Sequence, residues 1–370
     1  MLVGILKEIK VLENRVCMTP AGVIAMKNNG HEVMVEKNAG TGAGFPDAQY
    51  LAAGATMADT PIKIFEQCDM VMHVKEPQPS EYDLIREDQI VFTYLHLAAD
   101  EQQTKALIKS KSIDIAYETI EKDNGSLPLL VPMSEVAGRM AAQEAAKYLE
   151  MPQGGMGILL GGVTGVEPGT VVVIGGGIVG INAAKMACGL GAKVYILDTN
   201  IERLAYLDDV MPANCFPIMS NPAILAELVA RADAVIGAVL VAGTKAPKLL
   251  TREMLKTMKK GSVIVDVAID QGGCFETSKA TTHANPTYEV DGVIHYCVAN
   301  MPGAVARTST AALTNATLPY AIEIANKGWK KAMQENKEIK RGANVIRGKV
   351  TYKAVADAFG LDYTPVEKFL

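Results

Sequence analysis

Aromatic residues are scarce in this chain, 5% of 370 residues, which argues against a nucleic-acid binder that stacks bases on rings. A basic excess is missing as well. Lysine and arginine number 36 against 41 aspartates and glutamates, a net charge of −5 at pH 7, whereas a duplex-binding surface needs clustered positive charge. No nucleic-acid partner is expected. The six cysteines (Cys17, Cys68, Cys188, Cys215, Cys274 and Cys297) contain no C-x-x-C pair. That spacing fits neither a disulfide framework nor a zinc site and points to a reducing compartment. The five histidines (His31, His73, His96, His283 and His295) show no ligand spacing, so no metal is expected. Long apolar runs are absent too. The most apolar windows, around 171–181 and 234–243, are interrupted by glycine and too short to span a bilayer. Met1 leads straight into a strand-like stretch followed by charge, without the marks of a secretory signal, so a cytoplasmic location and no membrane partner are expected.

What is present describes an α/β protein. Hydrophobic residues make up 49% and charged residues 21%, and 33 glycines suit many tight strand–helix turns. A chain of this length predicts two domains. In the first third, strand-like runs at 3–6, 32–36, 69–74, 90–94 and 113–117 alternate with helical stretches such as 20–29, where Thr19 is the N-cap and Pro20 stands at N1. Residues 123–126 read as a turn. A long helix is predicted over 134–150, and a second strand series follows at 170–174, 194–198, 216–219, 234–237, 263–267 and 294–298. Alternation of this length implies parallel pairing. The stretch from about 309 reads as helical, without a strand series of its own, and should return to complete the first domain. The expected fold is therefore two Rossmann-like, doubly wound parallel-sheet domains with a cleft between them. The first spans 1–130 plus about 306–370 and the second about 131–305.

The clearest motif opens the second domain. The buried strand at 170–174 runs directly into Gly175-Gly-Gly-Ile-Val-Gly180, and a helix rich in small residues follows. Gly175 permits the tight turn, Gly177 lets the backbone approach a pyrophosphate, and Gly180 lets helix and strand pack closely. The helix N-terminus offers free N–H groups to phosphate. A bare G-x-G-x-x-G is also a common structural turn. Here the next strand ends in Asp198, eighteen residues beyond Gly180. An acid there bonds ribose hydroxyls and repels a 2′-phosphate, so NAD is the expected cofactor. Arg203 lies close enough in sequence to pack against or bond the adenosine.

Ligands of open α/β sheets gather at the carboxyl ends of strands. Three polar residues lie there: Lys75 in Lys75-Glu76-Pro77, His96 after the run at 90–95, and Asp270 after 263–269. A lone lysine is most often a solvated charge, a lone histidine often a structural one, and an aspartate often a cap. Position at strand ends favours chemistry, but spacing by itself leaves both readings open.

At these residues the chain resembles the bacterial alanine dehydrogenases, essentially from end to end. The resemblance is carried by Glu13-Asn-Arg-Val16 with Thr19-Pro-Ala21, Val74-Lys-Glu-Pro77, Tyr94-Leu-His-Leu-Ala98, Pro132-Met-Ser-Glu-Val-Ala-Gly-Arg139, the stretch 266–273, and Cys297-Val-Ala-Asn-Met-Pro302. It implies a homohexamer of two-domain subunits that converts L-alanine to pyruvate and ammonia with NAD, and the reverse. It implies that Arg15 and Lys75 bind the substrate while His96 and Asp270 are the catalytic pair. For the cofactor it implies Ser134, the loop residues Ile178 and Val179, Asp198, Arg203 and Ser220. It further implies Val239 and Leu240, the segment Val267, Ala268, Ile269 and Asp270, then Lys279, and finally Val298, Ala299, Asn300 and Met301. Position 279 is lysine where the family pattern has arginine, and lysine lacks the guanidinium fork.

Those residue types suit the reaction. Arginine can clamp a carboxylate, lysine can polarise the developing imine, and an imidazole can shuttle protons near neutrality. Two other readings share the architecture or the motif: the NAD-binding subunit of a proton-translocating transhydrogenase, and a non-catalytic NAD-sensing module. Arg15, Lys75, His96 and Asp270 occurring together argue for the enzyme.

Overall fold

Short valine-, isoleucine- and methionine-rich runs, each followed by a helix, build two mostly parallel sheets. The computed structural model describes residues 1–239 and 246–370. It divides into two compact units, Met1–Met133 with Val305–Leu370, and Ser134–Ala304.

The chain begins with strands β1 (Leu2–Ile5), β2 (Glu32–Glu36), β3 (Thr56–Ala58), β4 (Met70–Met72), β5 (Ile90–Thr93) and β6 (Ile113–Ala116). It leaves the first unit along the helix Val131–Tyr148. The second unit contains β7 (Thr170–Ile174), β8 (Lys193–Asp198), β9 (Cys215–Met219), β10 (Ala234–Gly237), β11 (Val263–Asp266), β12 (Thr287–Val290) and β13 (Val293–Tyr296). The helical stretch Ala306–Glu335 then returns to the first unit, where β14 (Ala343–Ile346) and β15 (Lys349–Val350) close its sheet.

The first sheet has the order β15-β14-β6-β5-β4-β1-β2-β3, parallel from β3 to β6, with β14 and β15 antiparallel at one edge. The second has the order β12-β13-β11-β10-β7-β8-β9, parallel except for β12. Each reverses its strand order beside its first strand, between β1 and β4 and between β7 and β10. Those are the places where doubly wound sheets bind ligands, outside the carboxyl ends.

Burial on both faces explains why the central strands read as continuous apolar runs rather than alternating ones. In the first unit Val3, Ile5, Val33 and Met70 pack on one face of the sheet, and Val71, Val91 and Phe65 pack on the other. The second unit packs Val172, Val235 and Ile264 against Leu225, Leu228 and Phe275. Helix Pro20–Asn28 starts as its sequence predicts, with the Thr19 hydroxyl accepting from Gly22 N at 3.3 Å and Pro20 at the first position. The long helix predicted over 134–150 is Val131–Tyr148. The C-terminal stretch differs from its helical reading by the hairpin β14–β15, whose strands are four and two residues long. Among the described residues, no helix is long and apolar enough to cross a membrane.

Candidate functional site

In the first unit the three residues singled out sit beyond the carboxyl ends of β1, β4 and β5. Arg15 lies in the loop after β1 and is 2% exposed. Its Nε donates to Glu13 Oε1 at 2.7 Å and its Nη2 to Glu13 Oε2 at 2.5 Å, while Nη1 reaches the Met133 sulfur at 3.1 Å. Burial works against the charge, but the Glu13 hydrogen bond and carboxylate outweigh it, helped by Tyr94 and Glu8, and the Arg15 pKa rises. Glu13 therefore takes the guanidinium's bidentate edge and fixes its plane.

Lys75, half-buried, follows β4 by three residues. Its backbone is held from both neighbouring strands. Lys75 N donates to Glu8 Oε1 at 3.3 Å, and its carbonyl accepts from the Thr93 hydroxyl of β5 at 2.9 Å. His96 follows β5 and has a left-handed backbone, φ 50° and ψ 36°. The Glu118 carboxylate accepts from His96 N at 2.6 Å and from Leu95 N at 3.2 Å. Glu118 Oε1 also stands 3.9 Å from His96 Nδ1. The imidazole lies parallel to the Tyr94 ring, with centroids 5.8 Å apart and planes 7° apart, and about half of it is exposed. The ring of Tyr94 is itself anchored by its hydroxyl, which donates to the Leu129 carbonyl at 2.5 Å.

In the second unit Gly175 has φ 102°, a conformation that L side chains rarely adopt, and a Cβ there would stand 2.8 Å from the Ala238 carbonyl. A Cβ on Gly180 would fall 1.8 Å from the Gly175 carbonyl, so that position admits no side chain. A Cβ on Gly177 would meet nothing within 4 Å. The space above Gly177 is open, at the N-cap of the twelve-residue helix Ile178–Gly189, which has no side-chain cap. Such a cradle suits a phosphate pair. Asp198, at the end of β8, turns its carboxylate onto the same loop: Oδ2 accepts from Gly176 N at 2.8 Å and Oδ1 from Asn200 N at 2.9 Å. Arg203 closes the loop from the other side through Nε to the Gly176 carbonyl, its guanidinium 4.9 Å from the Tyr206 ring centroid.

The remaining residues of the cofactor set follow other strand ends. Ser220 N donates to the Asp198 carbonyl at 2.8 Å just beyond β9, and Val239 follows β10 beside Gly175. Val267, Ala268, Ile269 and the exposed Asp270 follow β11, with Val267 N bonded to the Gly237 carbonyl at 2.9 Å. Val298, Ala299, Asn300 and Met301 follow β13, and Asn300 has φ 62°. Ser134 lies in the first turns of Val131–Tyr148. Lys279 is exposed, its backbone N–H donating to the Tyr288 hydroxyl at 2.6 Å. Leu240 lies outside the described residues.

Four residues that frame these groups escape a reading of the sequence: Glu8, Glu13, Glu118 and Asp266. Asp266 is wholly buried at the end of β11 and accepts from Ala268 N, Cys274 N and the Ser278 hydroxyl at 3.1, 2.9 and 2.5 Å. It thus folds the loop that carries Asp270 back on itself. Burial raises its pKa, against the pull of those donors. Glu13 and Asp266 stand inside quoted motifs without being singled out there, and nothing local marks Glu8 and Glu118.

Comparison with known proteins gives a consistent picture. Residues 4–137 match the family model described as alanine dehydrogenase/PNT, N-terminal domain, and 141–353 match alanine dehydrogenase/PNT, C-terminal domain. The second match runs past residue 304 into a part that packs with the first unit. The chain is 58% identical to an alanine dehydrogenase of Methanococcus maripaludis, over the whole length of both. It is 57% identical to one of Halomonas elongata, over 98% of each. A solved L-alanine dehydrogenase superposes with a TM-score of 0.95 at 50% identity, covering 97% of this chain and 99% of its own. A transhydrogenase from Sinorhizobium meliloti is more distant, with a TM-score of 0.83 at 26% identity, over 96% of this chain and 100% of its own.

Proposed function

The chain belongs to the alanine dehydrogenase/PNT family, and from that premise we propose that it is an NAD-dependent alanine dehydrogenase, interconverting L-alanine with pyruvate and ammonia. One observation carries the reading. Arg15, Lys75 and His96 stand at the carboxyl edge of one sheet, in a chain 58% identical from end to end to a protein named alanine dehydrogenase. The transhydrogenase reading has the weaker likeness, at 26% identity.

Met1–Met133 with the C-terminal return forms the substrate domain in this reading, and Ser134–Ala304 the cofactor domain. The cradle at Gly175, Gly177 and Gly180 would hold a pyrophosphate, and Asp198 the adenine ribose, to the disadvantage of a 2′-phosphate. Bound NAD supplies the acceptor for a hydride. The chain's own residues do the rest. Arg15, its plane fixed by Glu13, holds the substrate carboxylate and so limits the orientations open to Cα. Lys75 bonds the group on Cα and stabilises charge as the C–N bond gains double-bond character. Once hydride has left Cα and a proton has left nitrogen, water adds to the imine carbon and ammonia departs. His96 moves the protons of those two steps, and Asp270 stabilises the positive charge that forms. The family resemblance further supports a cytoplasmic homohexamer.

Initial rates of NADH formation with alanine test the reading. Formation should require NAD and alanine together and yield pyruvate and ammonia in equal amounts. Reduction of NAD without alanine, or none with it, would overturn the proposal.

A further inference from the structure

Where the strand order of the first unit reverses, between β1 and β4, four buried titratable side chains meet that the proposed reaction does not use. Glu8 follows β1, Glu36 ends β2, His73 follows β4 directly, and Glu81 lies beyond the Lys75 loop. His73 is 2% exposed, its Nδ1 3.5 Å from Glu8 Oε1 and its Nε2 3.6 Å from Glu81 Oε1. Those separations are too long for tight hydrogen bonds, and neither ring nitrogen makes a hydrogen bond.

The carboxylates in turn grip backbone. Glu8 Oε1 accepts from Val74 N at 2.6 Å and Lys75 N at 3.3 Å, and Glu81 Oε2 accepts from Gln78 N at 2.7 Å. The segment carrying Lys75 is therefore held at both ends by carboxylates that share one imidazole. Glu8 also lends charge to Arg15. A neutral ring would remove the cation that lies between Glu8 and Glu81 and leave the buried carboxylates facing one another with only Arg15 near Glu8 and Lys7 near Glu36, which is costly where water is excluded.

We propose that His73 is a positioning residue for substrate binding: its buried imidazolium, set between Glu8 and Glu81, holds both carboxylates where they grip the backbone from which Lys75 reaches the substrate. The proposal rests on the substrate role given to Lys75 above. The charged groups facing the ring are Glu8, Glu36 and Glu81, with Lys7 beside Glu36, while helix Pro61–Gln67 brings the Phe65 ring to a centroid distance of 6.5 Å. Burial pushes the imidazole toward neutrality, but the three carboxylates outweigh it and lift the His73 pKa above its ordinary 6.5. The protonated ring is thus favoured more than in a free imidazole, and it loses its proton at a higher pH.

The test compares alanine and NAD kinetics across pH in the unaltered chain, His73→Gln and Glu81→Gln, together with NADH binding and circular dichroism. At neutral pH, His73→Gln should lower kcat/KM for alanine about tenfold, the scale expected of a slightly misplaced binding group, and leave NADH affinity unchanged. Its pH profile should lack the fall, above pH 6.5, that follows loss of this ring's proton. Glu81→Gln should move that fall to lower pH, because one of the three carboxylates is gone. Unchanged alanine kcat/KM in His73→Gln, or an unchanged profile in Glu81→Gln, overturns the proposal. Should His73→Gln fail to fold, the Glu81→Gln profile decides by itself. Failure of the underlying reading shows separately, as full activity in Lys75→Ala or no alanine-dependent NADH formation in the unaltered chain, and overturns both.

Discussion

His96 occupies a left-handed backbone conformation that costs an ordinary L residue about 1–2 kcal/mol. The cost is offset by Glu118, which collects the N–H groups of Leu95 and His96 and lies on the Nδ1 side of the ring. Glu118→Ala should therefore lower turnover about 10- to 100-fold through a misplaced imidazole, with NADH binding intact. Glu118→Gln should recover part of it, since an amide oxygen still accepts from those donors. Steady-state kinetics of the two variants decide, and normal turnover in Glu118→Ala would remove the residue from the account. Replacing Lys75 or His96 by alanine should cost about two orders of magnitude or more in turnover. Fluorescence titration should still show NADH binding in both. At this scale the sequence was informative where a polar residue ends an apolar strand, as at Lys75 and His96. It was silent on Glu118 and Glu8, whose partners lie 22 and 66 residues away and meet them only because β5 and β6, and β1 and β4, are neighbours in the sheet.

The helix Ile178–Gly189 and the turn before it separate a structural from a functional role for glycine. Gly180→Ala puts a methyl group 1.8 Å from the Gly175 carbonyl, so the helix must shift and both melting temperature and NADH affinity should fall. Gly177→Ala adds a methyl group to open space at an ordinary φ of −69°, so the fold should melt unchanged. NADH affinity should nonetheless drop about tenfold or more, because the pyrophosphate needs that space. Calorimetry with binding isotherms reads both, and undiminished affinity in Gly177→Ala would contradict the cradle. The central strands were legible because burial on both faces leaves an uninterrupted apolar signature. Strands β3, β12, β14 and β15 were not. Each has two to four residues, each lies at or next to a sheet edge, and pairing rather than composition makes each a strand.

At the scale of the whole molecule, charge burial gives the stability a pH signature. A histidine with a raised folded pKa contributes stability that is complete below its unfolded value, near 6.5, and lost as pH rises through the folded value. Burial also raises Glu36 and Glu81 above their ordinary 4.5, so their ionisation likewise favours the unfolded chain as pH increases. The melting temperature should therefore decline as pH rises above about 6.5, less steeply in His73→Gln. A flat profile in the unaltered chain would contradict a charged His73. Two Rossmann-type domains were readable from the alternation of strands and helices. The antiparallel edge that the C-terminal return adds to the first sheet was not.

The central claim is that a dinucleotide cradle and an amino-acid site serve one reaction, and reductive amination tests it most directly. Pyruvate, ammonium and NADH mixed with the protein should lose reduced-nicotinamide absorbance only when all three are present, with alanine formed mole for mole. Absorbance loss with pyruvate but without ammonium, or loss confined to a different oxo acid, would contradict the account.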